Sequence, residues 1–302
     1  MLRSTSETMS AAIGGSDSIS VVPFDSTYKK PDEFSERNAR NTQLILKYES
    51  YLDKVIDPSS GSYYIENLTN SVIEATWNDF LKIEEMGGII KAVESGFIKE
   101  DIEKTCRQRD MDIAMRKQII LGANQHPNQE EKMLDNFQPR SALNCLGDIK
   151  PYRGAHALEA IRMATESYVN NGNKKPTVFL LTFGNHVIRK ARATFTVNFF
   201  GCAGYEIIDN TCFKTIEDGV TAAIKSGSEI VVFCSSDDEY VMNVSEACRI
   251  FKTHNSEAIL VIAGNPQNAI DKLKNAGISD FIHIGSNLVA SLLKYQRLLG
   301  II

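Results

Sequence analysis

Through residues 177–302, short apolar runs rich in β-branched residues alternate with amphipathic stretches. The runs at 178–181, 205–208, 230–233, 258–262 and 281–284 have the length and composition of buried strands. Between them, residues 213–225 and 240–251 repeat apolar positions at i, i+3 and i+4, the period of a helix lying on a core. Parallel strands must be joined by crossovers, and helices supply them, so five strands alternating with helices predict a parallel sheet covered on both faces. Right-handed crossovers make this an α/β domain with a doubly wound, flavodoxin-like sheet.

Upstream the period changes. From Pro31 to residue 121 the chain is mostly helical, with Ala39, Leu44, Ile45 and Leu46 forming the apolar positions of a helix over 34–54. Asp57-Pro58-Ser59-Ser60-Gly61 is a turn, and residues 62–65 have strand character. Thr69 is placed to cap a helix that runs through Ala75, Trp77 and Phe80 to Met86, where Gly87-Gly88 interrupts it. Such a module has too few strands to close a barrel or a sheet.

Residues 122–176 are dense in polar residues and helix breakers, among them Pro127, Pro139, Gly147 and Pro151. They read as a linker carrying one short helix over 155–169, stopped by Asn170-Asn171-Gly172-Asn173. The expected division is therefore 1–121, a linker at 122–176, and 177–302.

Composition narrows the class. The 302 residues are 43% hydrophobic and 24% charged, a globular balance. No apolar run approaches the roughly 18–20 residues of a membrane span. Thirty-three basic residues against 38 acidic ones give a net charge of -5, with no basic stripe, which argues against a nucleic-acid partner. The six cysteines (106, 145, 202, 212, 234 and 248) form no CxxC pair and read as reduced thiols. Arg3 and the early serines bring a transit peptide to mind, but the start lacks a hydrophobic segment and contains Glu7 and Asp17, so a cytoplasmic protein is expected.

Ligands of doubly wound sheets bind at the carboxyl ends of the strands. After the first strand stands Thr182-Phe183-Gly184-Asn185-His186, whose single glycine does not make the GxGxxG turn of a dinucleotide site. The third strand ends in Cys234-Ser235-Ser236 where a phosphoacceptor domain would need an aspartate. A CxxxxxR phosphate loop starting at Cys234 would need arginine where Tyr240 stands. Asp237-Asp238-Glu239 reads as the acidic first turn of a helix. The five histidines form no HxxxH or HExxH pair. Arg37 and Arg40 could hold a phosphate or carboxylate, though pairing on a helix surface is the simpler reading.

One set of segments goes further. Arg37-Asn38-Ala39-Arg40-Asn41-Thr42-Gln43-Leu44-Ile45-Leu46, Glu49-Ser50, and the stretch from Asp57-Pro58-Ser59-Ser60-Gly61 through Tyr63-Tyr64-Ile65-Glu66-Asn67-Leu68-Thr69 resemble the acyl-CoA mutases, above all the methylmalonyl-CoA mutases. Glu84-Glu85-Met86-Gly87-Gly88, Gly122-Ala123-Asn124, Leu2-Arg3-Ser4-Thr5 and Ala11-Ala12-Ile13-Gly14-Gly15 continue the resemblance in order. It implies a TIM barrel that binds acyl-CoA, of which this chain holds only the last part, followed by a flavodoxin-like domain that binds adenosylcobalamin.

In members that ligate cobalamin, the histidine after the first strand sits in Asp-x-His-x-x-Gly. Around His186 those flanking positions hold Gly184 and Arg189. The heterodimeric bacterial mutases pair a catalytic large subunit with a small subunit that has lost this ligand, and this chain is closer to the small one. Gly14-Gly15-Ser16-Asp17-Ser18-Ile19-Ser20 lacks the glutamine and histidine of the catalytic GGxQSLHTN stretch. Phe183-Gly184-Asn185, Ala191-Arg192-Ala193-Thr194-Phe195 and Cys234-Ser235-Ser236-Asp237 are likewise small-subunit-like.

The resemblance thus implies a non-catalytic small subunit, or a fragment of one. It would have no catalytic, cofactor-binding or metal residue of its own and would be inactive alone. Its partner would be the large mutase subunit, in a heterodimer, which would hold the adenosylcobalamin. The alternative is a cobalamin-binding chain that uses His186 and joins a separate barrel chain.

Overall fold

The computed structural model describes residues 1–135, 152–210, 212–254 and 257–302. Pro139, Cys145, Gly147 and Pro151 lie outside the described residues. The chain forms two compact units. One holds Met1–Lys104, and the other Thr105–Asp135 with Tyr152–Ile302.

The first unit is helical: α1 (Leu2–Ile13), α2 (Glu33–Tyr48), α3 (Tyr63–Glu85), α4 (Ile89–Glu94) and the start of α5 (Phe97–Ala114). The Asp32 carboxylate accepts from the Ser35 amide at 2.9 Å while Ser35 Oγ accepts from the Asp32 amide at 3.0 Å, a capping box that starts α2. Residues 62–65 were expected as a strand, but α3 begins at Tyr63. With no strand beside them in the described part of this unit, Tyr64, Ile65 and Leu68 continue the helical period of the residues that follow. Gly87 and Gly88, both at φ 92, end that run as expected, since side-chain-bearing residues rarely adopt this conformation.

The second unit carries α6 (His156–Asn170), β1 (Thr177–Thr182), α7 (His186–Gly201), β2 (Glu206–Ile208), α8 (Ile216–Ser226) and β3 (Ile230–Cys234). It continues through α9 (Asp237–Thr253), β4 (Ile259–Ala263), α10 (Ile270–Ala276), β5 (Asp280–Ile282) and α11 (Leu288–Leu298). All strand pairings are parallel and the order is β2-β1-β3-β4-β5, the flavodoxin-like arrangement. The strands are the five expected ones, each within two residues of the expected bounds.

Side-chain alternation along the strands builds two cores. Val178, Leu180, Ile230 and Val232 face α6, α7 and α11 through Ile161, Phe200 and Leu292. Phe179, Leu181, Val231 and Phe233 face α8, α9 and α10 through Val220, Val244 and Leu273. Each such side chain taken fully out of water contributes roughly 1.5–3 kcal/mol. The central strands β1 and β3 are buried along their whole length, whereas the edge strands β2 and β5 are only three residues long, which limits their exposed backbone.

The described parts of 122–176, expected as a linker, pack within this second unit. Asn124 is buried and donates to the Ile113 and Gln118 carbonyls at 3.0 and 2.8 Å while accepting from the Ile120 amide at 2.7 Å. Arg162 on α6 donates to the carbonyls of Asn128 and Glu131, and the Glu166 carboxylate accepts from the Met133 and Leu134 amides. These side chains satisfy backbone groups that proline and irregular sequence leave without helix or sheet partners.

Candidate functional site

Between β1 and β3 the chain reverses its direction of travel across the sheet, so the crevice at their carboxyl ends is where a doubly wound fold takes its ligand. Two loops form it. After β1 come Phe183, Gly184 at φ 74 and Asn185, whose side chain caps α7 by accepting from the Val187 and Ile188 amides at 3.0 and 3.3 Å. After β3 come Ser235 and Ser236, the latter capping α9. Both helices therefore present their amide ends, with their partial positive charge, to the crevice.

The Glu239 carboxylate fills it. It accepts from the Ser236 hydroxyl at 2.8 Å, the Ser236 amide at 3.2 Å and, across the crevice, the Asn185 amide at 3.2 Å. Ser235 Oγ touches both this carboxylate and, at 2.8 Å, the Phe183 carbonyl, its one proton serving one acceptor at a time. Burial would raise the Glu239 pKa, but the hydrogen bonds from Ser235, Ser236 and Asn185 outweigh it and hold the carboxyl below its ordinary value.

Side chains close the remaining approach. Tyr240 is fully buried, its hydroxyl accepting from the Ser235 amide at 2.8 Å and standing 2.9 Å from the Ala263 carbonyl. Arg192 pairs with Asp237 at 3.2 Å beside Gly264, at the end of β4.

The structure places His186 as the exposed first residue of α7, and no described residue hydrogen-bonds its ring. Arg189 Nη1 donates to the Gly184 carbonyl at 2.6 Å, tying down the loop in front of it. A metal-ligating imidazole needs an acceptor on its other nitrogen to fix ring and tautomer. Here that acceptor is absent among the described residues, and a Cβ at Gly184 would already collide with the Glu239 carboxylate. The residues present do not fit a cobalamin.

The other candidates are not brought together. Cys234 is fully buried, and burial pushes its thiol up to about 12, which leaves no thiolate to attack. Burial likewise pushes Cys202 up to about 12 and Cys248 to about 11. Arg37 and Arg40 are exposed on α2. No group of three or more His, Cys, Asp or Glu among the described residues could hold a metal ion. No described helix is long and apolar enough to cross a membrane. In the first unit, α1, residues 16–19 and α2 border a cavity of about 400 Å³ lined by Thr8, Ser18, Gln43, Lys47 and Asp53 among others.

Sequence reasoning missed Glu239. Its local signal was present, since Ser236 and Glu239 have the spacing of a capping box. The bond to Asn185 depends on β1 lying beside β3, which no local pattern states.

The comparison with known proteins is consistent along the chain. The methylmalonyl-CoA mutase family profile matches residues 1–165. The methylmalonyl-CoA mutase small subunit of Porphyromonas gingivalis is 46% identical over 307 residues, covering 100% of this chain and 48% of that protein. The small subunit of Streptomyces virginiae is 31% identical over 301 residues, covering 100% of this chain and 47% of that one. A cobalamin-binding protein of solved structure from Desulfitobacterium hafniense is 17% identical over 68% of this chain and 92% of its own, at a TM-score of 0.34. The chain spans about half the length of the curated relatives it matches. With the family profile matched over more than half of its residues, the chain belongs to the methylmalonyl-CoA mutase family.

Proposed function

We propose that this chain is the non-catalytic small subunit, or the C-terminal portion of one, of an adenosylcobalamin-dependent methylmalonyl-CoA mutase. It supports a large catalytic subunit that interconverts methylmalonyl-CoA and succinyl-CoA, in a cytoplasmic heterodimer. The radical chemistry of such a reaction belongs to the cofactor, and the protein contributes binding, orientation and a sealed site. In this reading the large subunit holds the adenosylcobalamin. This chain contributes folded surface and no reacting group.

The observation that carries the reading is the state of the sheet end. His186 has no described acceptor to orient it, and Arg189 binds the Gly184 carbonyl in front of it. Similarity to proteins named as mutase small subunits supports the same conclusion. The alternative, cobalamin ligation through His186, needs both an acceptor and open space above Gly184, and the Glu239 carboxylate takes that space.

Affinity purification from the native host tests the proposal. Co-elution of a large mutase subunit in equal amounts, with mutase activity in the complex and none in this chain alone, is the expected result. Recovery of the chain as a lone monomer would contradict it.

A further inference from the structure

The crevice between β1 and β3 has the chemistry of an anion site. The amide ends of α7 and α9 open on it, and the Asn185 amide, the Ser236 amide and the hydroxyls of Ser235 and Ser236 converge on one carboxylate. A capping box alone would need only the groups of Ser236. The additional contacts to Asn185 and Ser235 cross from α9 to the loops after β1 and β3.

The loop after β1 is shaped around that carboxylate. Gly184 sits at φ 74, and a Cβ there would fall inside the space of the Glu239 side-chain oxygens. Glycine at this position serves a close approach as well as a turn. The cradle and the convergent donors are separate observations, one steric and one polar, and both point to the same occupant.

We infer that the crevice is an oxyanion-binding site whose resident anion is the chain's own Glu239 carboxylate. The site is therefore closed to external ligands in the folded protein. With the side chain shortened, the same donors bind a small free carboxylate. This goes beyond the subunit assignment and does not depend on which partner the chain has.

Chemical rescue tests it on the full chain. Glu239→Ala and Glu239→Ser remove the carboxylate, whereas Glu239→Gln keeps the crevice filled. Their melting temperatures are compared in sodium acetate and in sodium chloride of equal ionic strength at neutral pH. In about 100 mM acetate the two truncated variants gain about 3 °C over chloride, while the unaltered chain and Glu239→Gln gain nothing. If a truncated variant is unfolded in chloride, recovery of its helical signal in acetate is the supporting result.

Truncated variants that respond to acetate no more than the unaltered chain, or that stay unfolded in both salts, overturn the inference. The readout is stability of this chain alone, so a negative result leaves the partner assignment standing. A missing partner would equally leave the rescue intact.

Discussion

Glu239 shows how one side chain settles the character of a whole site. Its carboxylate satisfies the amide end of α9 and reaches the loop after β1, so it fastens together the two halves of the crevice. Hydrogen bonds hold its pKa below the ordinary value against the opposing effect of burial. A carboxyl whose folded pKa is depressed stabilises the protein at pH values above the unfolded value, about 4.3, and loses that contribution as pH falls through the folded one. Glu239→Gln is therefore expected to cost about 1–3 kcal/mol at neutral pH and to flatten the acid limb of stability below about pH 4.5. Urea unfolding of both proteins across pH checks this, and parallel acid limbs would contradict it.

The same scale marks the limit of reading by sequence. Gly184, His186 and Arg189 were legible because their types and spacing depart from a known pattern. The buried state of Cys234 was legible from its place at the end of an apolar strand. Glu239 was seen only as one acid of a first turn, because its partner Asn185 lies 54 positions away and meets it through strand order.

At the scale of elements, the sheet was readable and its flanking segments less so. Strands with apolar residues on both faces advertise themselves, and β1 and β3 emerged within a residue or so of expectation. Short aromatic residues before α3 were ambiguous between periods of 2 and 3.6, and without a partner strand the helix prevailed. The polar stretch before α6 read as a linker because the groups that organise it come from elsewhere. Arg162, only 4% exposed, holds the Asn128 and Glu131 carbonyls. Arg162→Ala is expected to cost about 2–4 kcal/mol, since it removes charge-assisted bonds and leaves carbonyls unpaired. It also opens residues 126–134 to limited proteolysis. Unchanged cleavage kinetics in that segment would show that other contacts hold it.

At the scale of the molecule, the two units differ in how they are built. The second has a sheet with a packed core on each face. In the first, the 23-residue α3 has no buried residue and leaves Tyr63, Val72, Ile73 and Trp77 exposed. A helix without tertiary burial is marginal in water. Amide exchange in the full chain is accordingly expected to be much faster in α3 than in β1 and β3, and equal protection would refute this contrast. The family likeness covers that helical region, and the relatives are about twice as long.

The central claim is that this flavodoxin-like domain keeps its fold without a cobalamin site. An absorbance titration of the purified chain with hydroxocobalamin tests it most directly. No spectral change is predicted, in the unaltered chain or in His186→Ala. A base-off, histidine-ligated spectrum that disappears in His186→Ala would contradict it and make His186 a working ligand.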